Sequence, residues 1–190
     1  AKAGNERTAQ TDTATHATAI GTDSEATSDN STAIGYSSKA SGKNSIAIGD
    51  SIASGENNIA IGYQSELTNF HKDNTAVGTA TQINADAGTA IGKGAYVSGD
   101  YGTAIGRGAD SWSDSSVALG SYAKVDNNSG YAVALGAGSV ASEADTVSVG
   151  VSEKDADDEH AVKTRRIVNV KDGRFEEGST DAVTAGQLYD

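Results

Sequence analysis

A short apolar motif, Ala followed by Ile, Val or Leu and then Gly, recurs from residue 19 to residue 150 at nearly regular intervals. Nine copies have this form and a tenth reads Ser-Val-Gly, with successive glycines 14, 14, 13, 16, 14, 14, 14, 16 and 14 residues apart. The gaps are rich in Ser, Thr, Asn, Asp and Gly, which favour tight turns. A repeat this short cannot enclose its own core, so the pattern predicts an all-β solenoid of about ten coils. The repeat glycines are Gly21, Gly35, Gly49, Gly62, Gly78, Gly92, Gly106, Gly120, Gly136 and Gly150.

The residues at one, two and three places before each repeat glycine, here positions −1, −2 and −3, form a predicted strand. Positions −3 and −1 carry β-branched or aliphatic side chains and share one face, whereas position −2 is Ala in nine copies. We expect the β-branched face to point inward. We expect the small alanine face to pack against another copy of the chain. The predicted interface residues are Ala19, Ala33, Ala47, Ala60, Ala76, Ala90, Ala104, Ala118 and Ala134.

A weaker second strand follows each glycine, as in segments 39–42, 51–55, 95–99 and 122–125. Two coils, 63–78 and 121–136, are longer, and we expect their extra residues to bulge at turns around 69–72 and 129–131. Either such loops carry binding specificity, or insertions are tolerated there because they disturb the rest of the fold little. Trp112 is the only tryptophan and lies where the repeat favours a small residue. It either contacts a partner or covers a groove between subunits.

Composition and charge exclude several classes of function. The 190 residues include no Cys, which removes disulfides and thiolate sites and is compatible with export. The net charge of −12 disfavours binding to nucleic acid and anionic lipid. No apolar stretch is long enough to span a bilayer and no signal peptide is recognisable, so we expect any targeting or membrane-anchoring segment to lie outside this sequence.

Catalytic chemistry is not predicted. His16, His71 and His160 are far apart, and none is near a nucleophile and a carboxylate. The 14-residue period also differs from the six-residue period of β-helical acyltransferases. The acidic run 153–159 could attract Ca²⁺ but lacks the spacing of known calcium loops, so we expect it to pair with Arg165 and Arg166. We predict no catalytic residue, no metal and no cofactor.

Two groups of segments carry a family resemblance. Segments 30–37, 44–51 and 57–65 read Asn-Ser-Thr-Ala-Ile-Gly-Tyr-Ser, Asn-Ser-Ile-Ala-Ile-Gly-Asp-Ser and Asn-Asn-Ile-Ala-Ile-Gly-Tyr-Gln-Ser. They resemble the head repeat of YadA-like trimeric autotransporter adhesins. Segments 164–170 and 180–188 resemble the neck of the same family, in which an Arg-containing strand leads into an Asp-Ala-Val…Gln-Leu helix start. The matching neck residues are Arg165, Arg166, Asp181, Val183, Gln187 and Leu188.

The resemblance implies a left-handed parallel β-roll, three rolls side by side in a homotrimer, and a neck leading into a coiled-coil stalk. It also implies a bacterial outer-membrane anchor. We divide the chain into residues 1–15, which form either an irregular N-terminal segment or a partial first coil, head repeats 16–150, and a neck 151–190 that includes the acidic extension and the start of the stalk helix. Locally, Thr180 or Asp181 can cap a helix whose first turn is 182–184.

The function implied is that of a bacterial surface adhesin that binds host matrix or cells, and takes part in autoaggregation or biofilm formation, by multivalent non-catalytic contacts. The partners implied are collagen, fibronectin, laminin or other bacterial cells. One alternative is a structural spacer below a more distal binding domain. Ice binding needs paired outward Thr columns, and the aliphatic position −1 disfavours it. The candidate ligand-binding residues are Asn30, Ser31, Asn44, Ser45, Ser51, Asn57, Asn58, Phe70 and Trp112.

Overall fold

The computed structural model describes residues 14–68, 70–152 and 164–189, and the repeats form a two-sheet β-solenoid. Most coils add a three-residue strand to sheet A and a two-residue strand to sheet B. Sheet A contains β1 Thr18–Ile20, β3 Thr32–Ile34, β5 Ile46–Ile48, β7 Ile59–Ile61, β9 Thr75–Val77, β11 Thr89–Ile91, β13 Thr103–Ile105, β15 Val117–Leu119, β17 Val133–Leu135 and β19 Val147–Ser148. Sheet B contains β2 Glu25–Ala26, β4 Lys39–Ala40, β6 Ile52–Ala53, β8 Glu66–Leu67, β10 Gln82–Ile83, β12 Tyr96–Val97, β14 Asp110–Ser111, β16 Lys124–Val125 and β18 Val140–Ala141.

Every strand pairs in parallel with the equivalent strand of the neighbouring coil, so both sheets run in repeat order. The register matches identical positions, and Ala90, for example, lies beside Ala76 on one side and Ala104 on the other. Identical positions therefore stack into straight columns along the solenoid. The all-β solenoid predicted from the glycine spacing and the parallel pairing implied by the family resemblance are confirmed, with ten strands in sheet A and nine in sheet B.

The alanine column at position −2 forms the core, and the predicted orientation of this strand is wrong. Ala19, at the end of the stack, is half-buried. A coil with strands of three and two residues has room for about one inward side chain per strand, and a small side chain fits best. Residues at positions −3 and −1 therefore point outward. The alanines predicted to contact another copy but fully buried within the chain are Ala33, Ala47, Ala60, Ala76, Ala90, Ala104, Ala118 and Ala134.

Sheet B supplies the other half of the core with its second strand position. Small residues such as Ala40 and Ala53 occupy this column in the first coils, and larger ones such as Leu67, Ile83 and Val97 occupy it further along. All five are at most 2% exposed. The interior thus consists of two facing columns of mainly apolar side chains, flanked by buried Ser, Thr and Asn side chains, and each coil is stabilised mainly by its two neighbours.

The repeat glycine is required by the closeness of successive coils. At Gly92 the backbone has φ of +130°, a region that L side chains rarely adopt. A Cβ added there would overlap the carbonyl oxygen of Gly106 in the next coil. Glycine is thus needed both for the backbone conformation and for the close backbone approach.

The two longer coils are enlarged at the same turn. The connection from sheet B to sheet A takes five residues in the coil at 112–116, but seven at 68–74 and seven at 126–132. The predicted bulges around 69–72 and 129–131 fall within these turns, although residue 69 itself is outside the described part. The insertions leave the pairing of β7 with β9 and of β15 with β17 in register.

The described C-terminal segment 164–189 contains one short helix, α1 Ala185–Tyr189. It begins later than predicted, because Thr184 rather than Thr180 or Asp181 caps it. The Thr184 hydroxyl accepts from the Gln187 backbone N–H at 3.3 Å, and the Gln187 side-chain oxygen accepts from the Thr184 N–H at 3.1 Å. This reciprocal pair is a capping box.

Candidate functional site

The outer face of sheet A is an apolar strip that follows the length of the solenoid. In the isolated chain Ile91, Leu119 and Leu135 are 39%, 40% and 43% exposed, and Ile20 at the end of the stack is 56% exposed. A continuous row of aliphatic side chains in water is unusual for a monomer and is typical of an interaction surface. We call this row at position −1 the aliphatic stripe: Ile20, Ile34, Ile48, Ile61, Val77, Ile91, Ile105, Leu119 and Leu135.

Alternation along a strand does not say which of its faces is inside, so the aliphatic stripe was not predicted as a surface. A usable signal was present. Nine of ten copies have Ala at position −2, and a 14-residue coil is too narrow to hold Ile or Leu at both neighbouring positions of every repeat.

Four predicted ligand-binding residues are core residues. Ser31, Ser45 and Ser51 are fully buried and Asn58 is 1% exposed. Ser31 and Ser45 donate to carbonyl oxygens three residues earlier, each at 2.6 Å, and Ser51 donates to the Ala60 carbonyl at 3.0 Å. These side chains satisfy backbone groups within the turns. Their prediction as ligand contacts is therefore wrong.

Asn58 has the same structural role. Its amide nitrogen donates to the His71 carbonyl at 2.7 Å, and its side-chain oxygen accepts from the Asn74 N–H at 3.0 Å. It therefore ties the enlarged 68–74 turn to the preceding coil. The His71 ring lies 3.1 Å from an Asp86 carboxylate oxygen, in a pair at the surface rather than in a catalytic group.

Three predicted residues, Asn30, Asn44 and Asn57, form an exposed column at one corner of the solenoid. All three have φ near +56°, which Asn tolerates better than most residues. Each amide nitrogen donates to the next side chain: Asn30 to Asn44 at 3.1 Å, Asn44 to Asn57 at 3.0 Å, and Asn57 to Asp73 at 2.8 Å. We call Asn30, Asn44 and Asn57 the asparagine ladder.

The two predicted aromatic contacts lie apart from the ladder. Phe70, in the enlarged turn, is 82% exposed and has φ of +60°. Trp112 is 37% exposed and lies beside Tyr96, with ring centroids 5.0 Å apart and an angle of 48° between the rings. Sequence spacing could have found this pair: Tyr96 is in register with Asp110, and Trp112 is two residues further along the same face.

Arg165 of the predicted neck closes the C-terminal end of the solenoid. Its guanidinium carbon would lie 3.1 Å from a Cβ placed on Gly136, where other repeat glycines meet the backbone of the next coil. It donates to the Ser139 hydroxyl and the Val149 carbonyl, each at 2.7 Å, and to the Ala137 carbonyl. The planar cation thus takes the place of a further coil and satisfies its open acceptors. Arg166 is exposed.

The other predicted neck residues divide into a polar and an apolar pair. Asp181 accepts from the Arg174 side chain at 2.9 Å and its backbone N–H at 3.1 Å, and this pairing holds the pKa of Asp181 below its ordinary value. Gln187 donates to the Gly173 carbonyl at 2.7 Å. Val183 and Leu188 are 52% and 79% exposed. The predicted acidic extension 153–159 and His160 lie outside the described residues, as do residues 1–13.

Neither a metal cluster nor a membrane span is found in the described part of the chain. No three His, Asp or Glu side chains among residues 14–68, 70–152 and 164–189 are grouped to hold a metal ion. No helix in those segments has the length and apolar character to cross a bilayer.

Comparison with known proteins agrees with this architecture. The family model for the YadA head domain repeat matches residues 13–38, 26–51, 84–109 and 128–152. The solved collagen-binding domain of the Yersinia adhesin YadA superposes with a TM-score of 0.76 and 30% identity, over 87% of this chain and 84% of that one. The chain belongs to the YadA head family. The search of curated proteins finds no significant match.

Membership in the YadA family identifies the chain as an adhesin head, from a class of proteins that is typically non-enzymatic. The aliphatic stripe and the asparagine ladder are both built from the YadA-type repeat, since one is its position −1 and the other lies five residues before its glycine. The pair of Tyr96 and Trp112 and the enlarged turns are additions to that repeat.

Proposed function

We propose that this chain is the trimeric head of a bacterial cell-surface adhesin that binds collagen through repeated weak contacts and without catalysis. The observation that carries the proposal is the likeness to the collagen-binding domain of YadA over most of both chains. Further matrix proteins such as fibronectin and laminin, and other bacterial cells, are additional targets to test. Display on the cell surface would follow from an autotransporter anchor encoded elsewhere in the protein.

The trimer is supported by the aliphatic stripe. In a single chain nine aliphatic side chains line one face in nearly straight register. Three such faces turned toward a common axis would remove them from water, and apolar burial is worth about 25 cal/mol per Å². The exposed apolar residues of the neck, such as Val183 and Leu188, would be covered by the same assembly.

The ligand surface we propose is the asparagine ladder. Each ladder amide uses one donor hydrogen within the column, which leaves a second hydrogen and acceptor lone pairs on the side chain. Collagen chains are polyproline-II-like and their carbonyl groups are largely without internal partners. A row of amides spaced at about 4.8 Å can therefore bind such a chain along its length.

Binding of the purified head to immobilised triple-helical collagen peptide, measured by surface plasmon resonance, tests this proposal. We expect saturable binding that weakens when the peptide is replaced by its heat-denatured form, because the ladder matches a regular extended chain. We expect Asn44→Ala to weaken binding by about tenfold, since hydrogen bonds contribute about 0.5–1.5 kcal/mol each and three subunits lose one site. Lys39→Ala, a substitution at an exposed position of sheet B, is the matched control and should leave binding unchanged.

Absence of binding to collagen, fibronectin and laminin would contradict the adhesive role of this segment. It would favour the alternative of a spacer, for which the unbroken ten-strand register is suited. Equal binding by Asn44→Ala and Lys39→Ala would leave adhesion intact and remove the ladder as its surface.

A further inference from the structure

The outer face of sheet B differs from that of sheet A because it is polar and includes one aromatic cluster. Strand alternation places these side chains outward, next to buried neighbours such as Ile83, Val97 and Val125. We call the cluster the aromatic patch. It is made of Asn84, Tyr96, Asp110, Trp112, Lys124 and Asp126.

The patch is organised by direct contacts between its members. Trp112 and Tyr96 pack with ring centroids 5.0 Å apart. The Asn84 amide donates to the Tyr96 hydroxyl at 3.2 Å. The aromatic surfaces are therefore held in place before any ligand arrives, which lowers the entropy lost on binding.

The charged groups of the aromatic patch are one ammonium and two carboxyl groups. The Lys124 ammonium lies 2.7 Å from an Asp126 carboxylate oxygen, and Asp110 follows in register beside Lys124. Burial raises the pKa of Asp110, against the opposing effect of its hydrogen bond from Trp112. Two carboxyl groups and one ammonium give no excess positive charge, and the whole chain carries −12.

We propose that the aromatic patch binds a neutral glycan. The exposed part of the Trp112 ring can stack against the C–H face of a pyranose, and the surrounding carboxyl, amide and hydroxyl groups can exchange hydrogen bonds with sugar hydroxyls. The patch extends over four coils, about 15 Å, which accommodates a short oligosaccharide. The local and overall negative charge opposes sulfated or carboxylated glycans.

The patch would remain accessible in the proposed trimer, because that assembly covers the aliphatic stripe on the other sheet. The glycan proposal depends on the proposed function only in this respect. It does not depend on collagen binding, and in the single chain Trp112 is 37% exposed while Tyr96 is half-buried. A monomeric variant should therefore retain the site.

Trp112 is the only tryptophan in the chain, so its fluorescence reports on the patch directly. The experiment titrates the intact protein with neutral tetrasaccharides of glucose, galactose, mannose and N-acetylglucosamine. We expect at least one of them to change the emission saturably, and heparin to leave it unchanged at moderate salt. The wild-type measurement tests the proposal without any substitution.

Tyr96→Ala keeps the reporter, and we expect it to weaken glycan binding by at least tenfold because it removes the ring that supports Trp112. Lys39→Ala, on the same sheet but outside the patch, should bind as the wild type does. Thermal unfolding followed by circular dichroism establishes that both variants fold. If Tyr96→Ala is unfolded, Asp110→Asn serves as the second variant, with weaker binding expected.

Three results would overturn the proposal. The first is that no neutral tetrasaccharide changes the emission at about 10 mM, a concentration that detects even weak binding. The second is that heparin binds as tightly as any neutral glycan. The third is that only a proline-rich peptide changes the emission, which would assign the patch to protein ligands. Loss of collagen binding with retained glycan binding would count against the proposed function alone.

Discussion

Substitutions at the outward and the inward positions of a sheet A strand should have opposite effects on assembly and on stability. We consider a variant of the aliphatic stripe that combines Ile91→Ala, Leu119→Ala and Leu135→Ala, and compare it with Ala90→Leu in the core. The first should weaken assembly while the coils stay folded. The second should destabilise the chain itself, because Ala90 has no exposed surface.

The size of the first effect follows from exposure. The three side chains are 39%, 40% and 43% exposed in the single chain. Full burial of such a side chain contributes about 1.5–3 kcal/mol, so covering the exposed part contributes roughly 0.6–1.2 kcal/mol for each. Nine side chains in a trimer then contribute about 5–11 kcal/mol. At about 1.4 kcal/mol per factor of ten, the trimer dissociation constant should rise roughly 10⁴- to 10⁸-fold. Because that constant varies as the square of concentration, the midpoint concentration for dissociation should rise roughly 10²- to 10⁴-fold.

For the core variant, three extra carbons in a filled interior cost about 1–3 kcal/mol of unfolding free energy. Sedimentation velocity over a dilution series measures assembly, and thermal unfolding by circular dichroism measures stability. Gln82→Ala and Lys39→Ala, both exposed on sheet B, are the matched controls and should change neither. The assignment of faces would be refuted if the stripe variant kept the wild-type mass on dilution while Ala90→Leu dissociated without loss of stability.

Three further predictions concern the turns and the neck. Arg165→Ala should lower the unfolding free energy by about 1.5–3 kcal/mol, as expected for hydrogen bonds to a charged group. Arg166→Ala, at an exposed position, should change it little. Chemical denaturation measures both, and equal effects would contradict the closing role of Arg165. Gly92→Ala should lower the unfolding free energy by about 2–6 kcal/mol, because it strains the backbone and overlaps with the next coil. Gly94→Ala should lower it by only about 1 kcal/mol, because a Cβ there meets open space. Because the folded pKa of Asp181 is lowered, its contribution to stability is present above the ordinary Asp pKa of about 4 and is lost as the pH falls through the folded value. An NMR titration of the Asp181 carboxyl should show a midpoint below that of a model peptide, and an unshifted midpoint would refute the pairing with its arginine.

The strand positions and the solenoid could be predicted because they depend on a local period. The repeat glycines mark each close approach of backbones, and the residues before them alternate as a strand must. The second strand was also predictable, since Lys39–Ala40, Ile52–Ala53, Tyr96–Val97 and Lys124–Val125 all fall in the expected segments. Resemblance to the YadA repeat supplied the family, which the comparisons confirm.

The orientation of the strand could not be read from alternation, because two faces of opposite character are consistent with either being inside. β-Branched residues such as Thr89 and Ile91 suit a buried face, yet the narrow coil admits only Ala90 between the sheets. Four ligand-binding residues were mispredicted because the sequence pattern likewise does not say which turn side chains point inward. Serine in a polar turn suggests a surface position, but Ser31 and Ser45 turn inward to bind carbonyl groups.

The helix cap was mispredicted for a related reason. Asp181 is a good N-cap residue by type, but the nearby Arg174 engages its carboxylate. Thr184, whose hydroxyl also donates to Asp172 at 2.6 Å, forms the capping box with Gln187, three residues further on. Competition between partners distant in sequence decides such positions, and a single sequence does not show it.

The mass of the protein in solution tests the central claim most directly. The chain has a mass of 19.1 kDa, so the proposed trimer, with the aliphatic stripe as its interface, has three times that mass, about 57 kDa. Multi-angle light scattering at micromolar concentration should give the trimer mass. A folded monomer of 19.1 kDa under the same conditions would contradict the account, because the apolar face of sheet A would then be stable in contact with water.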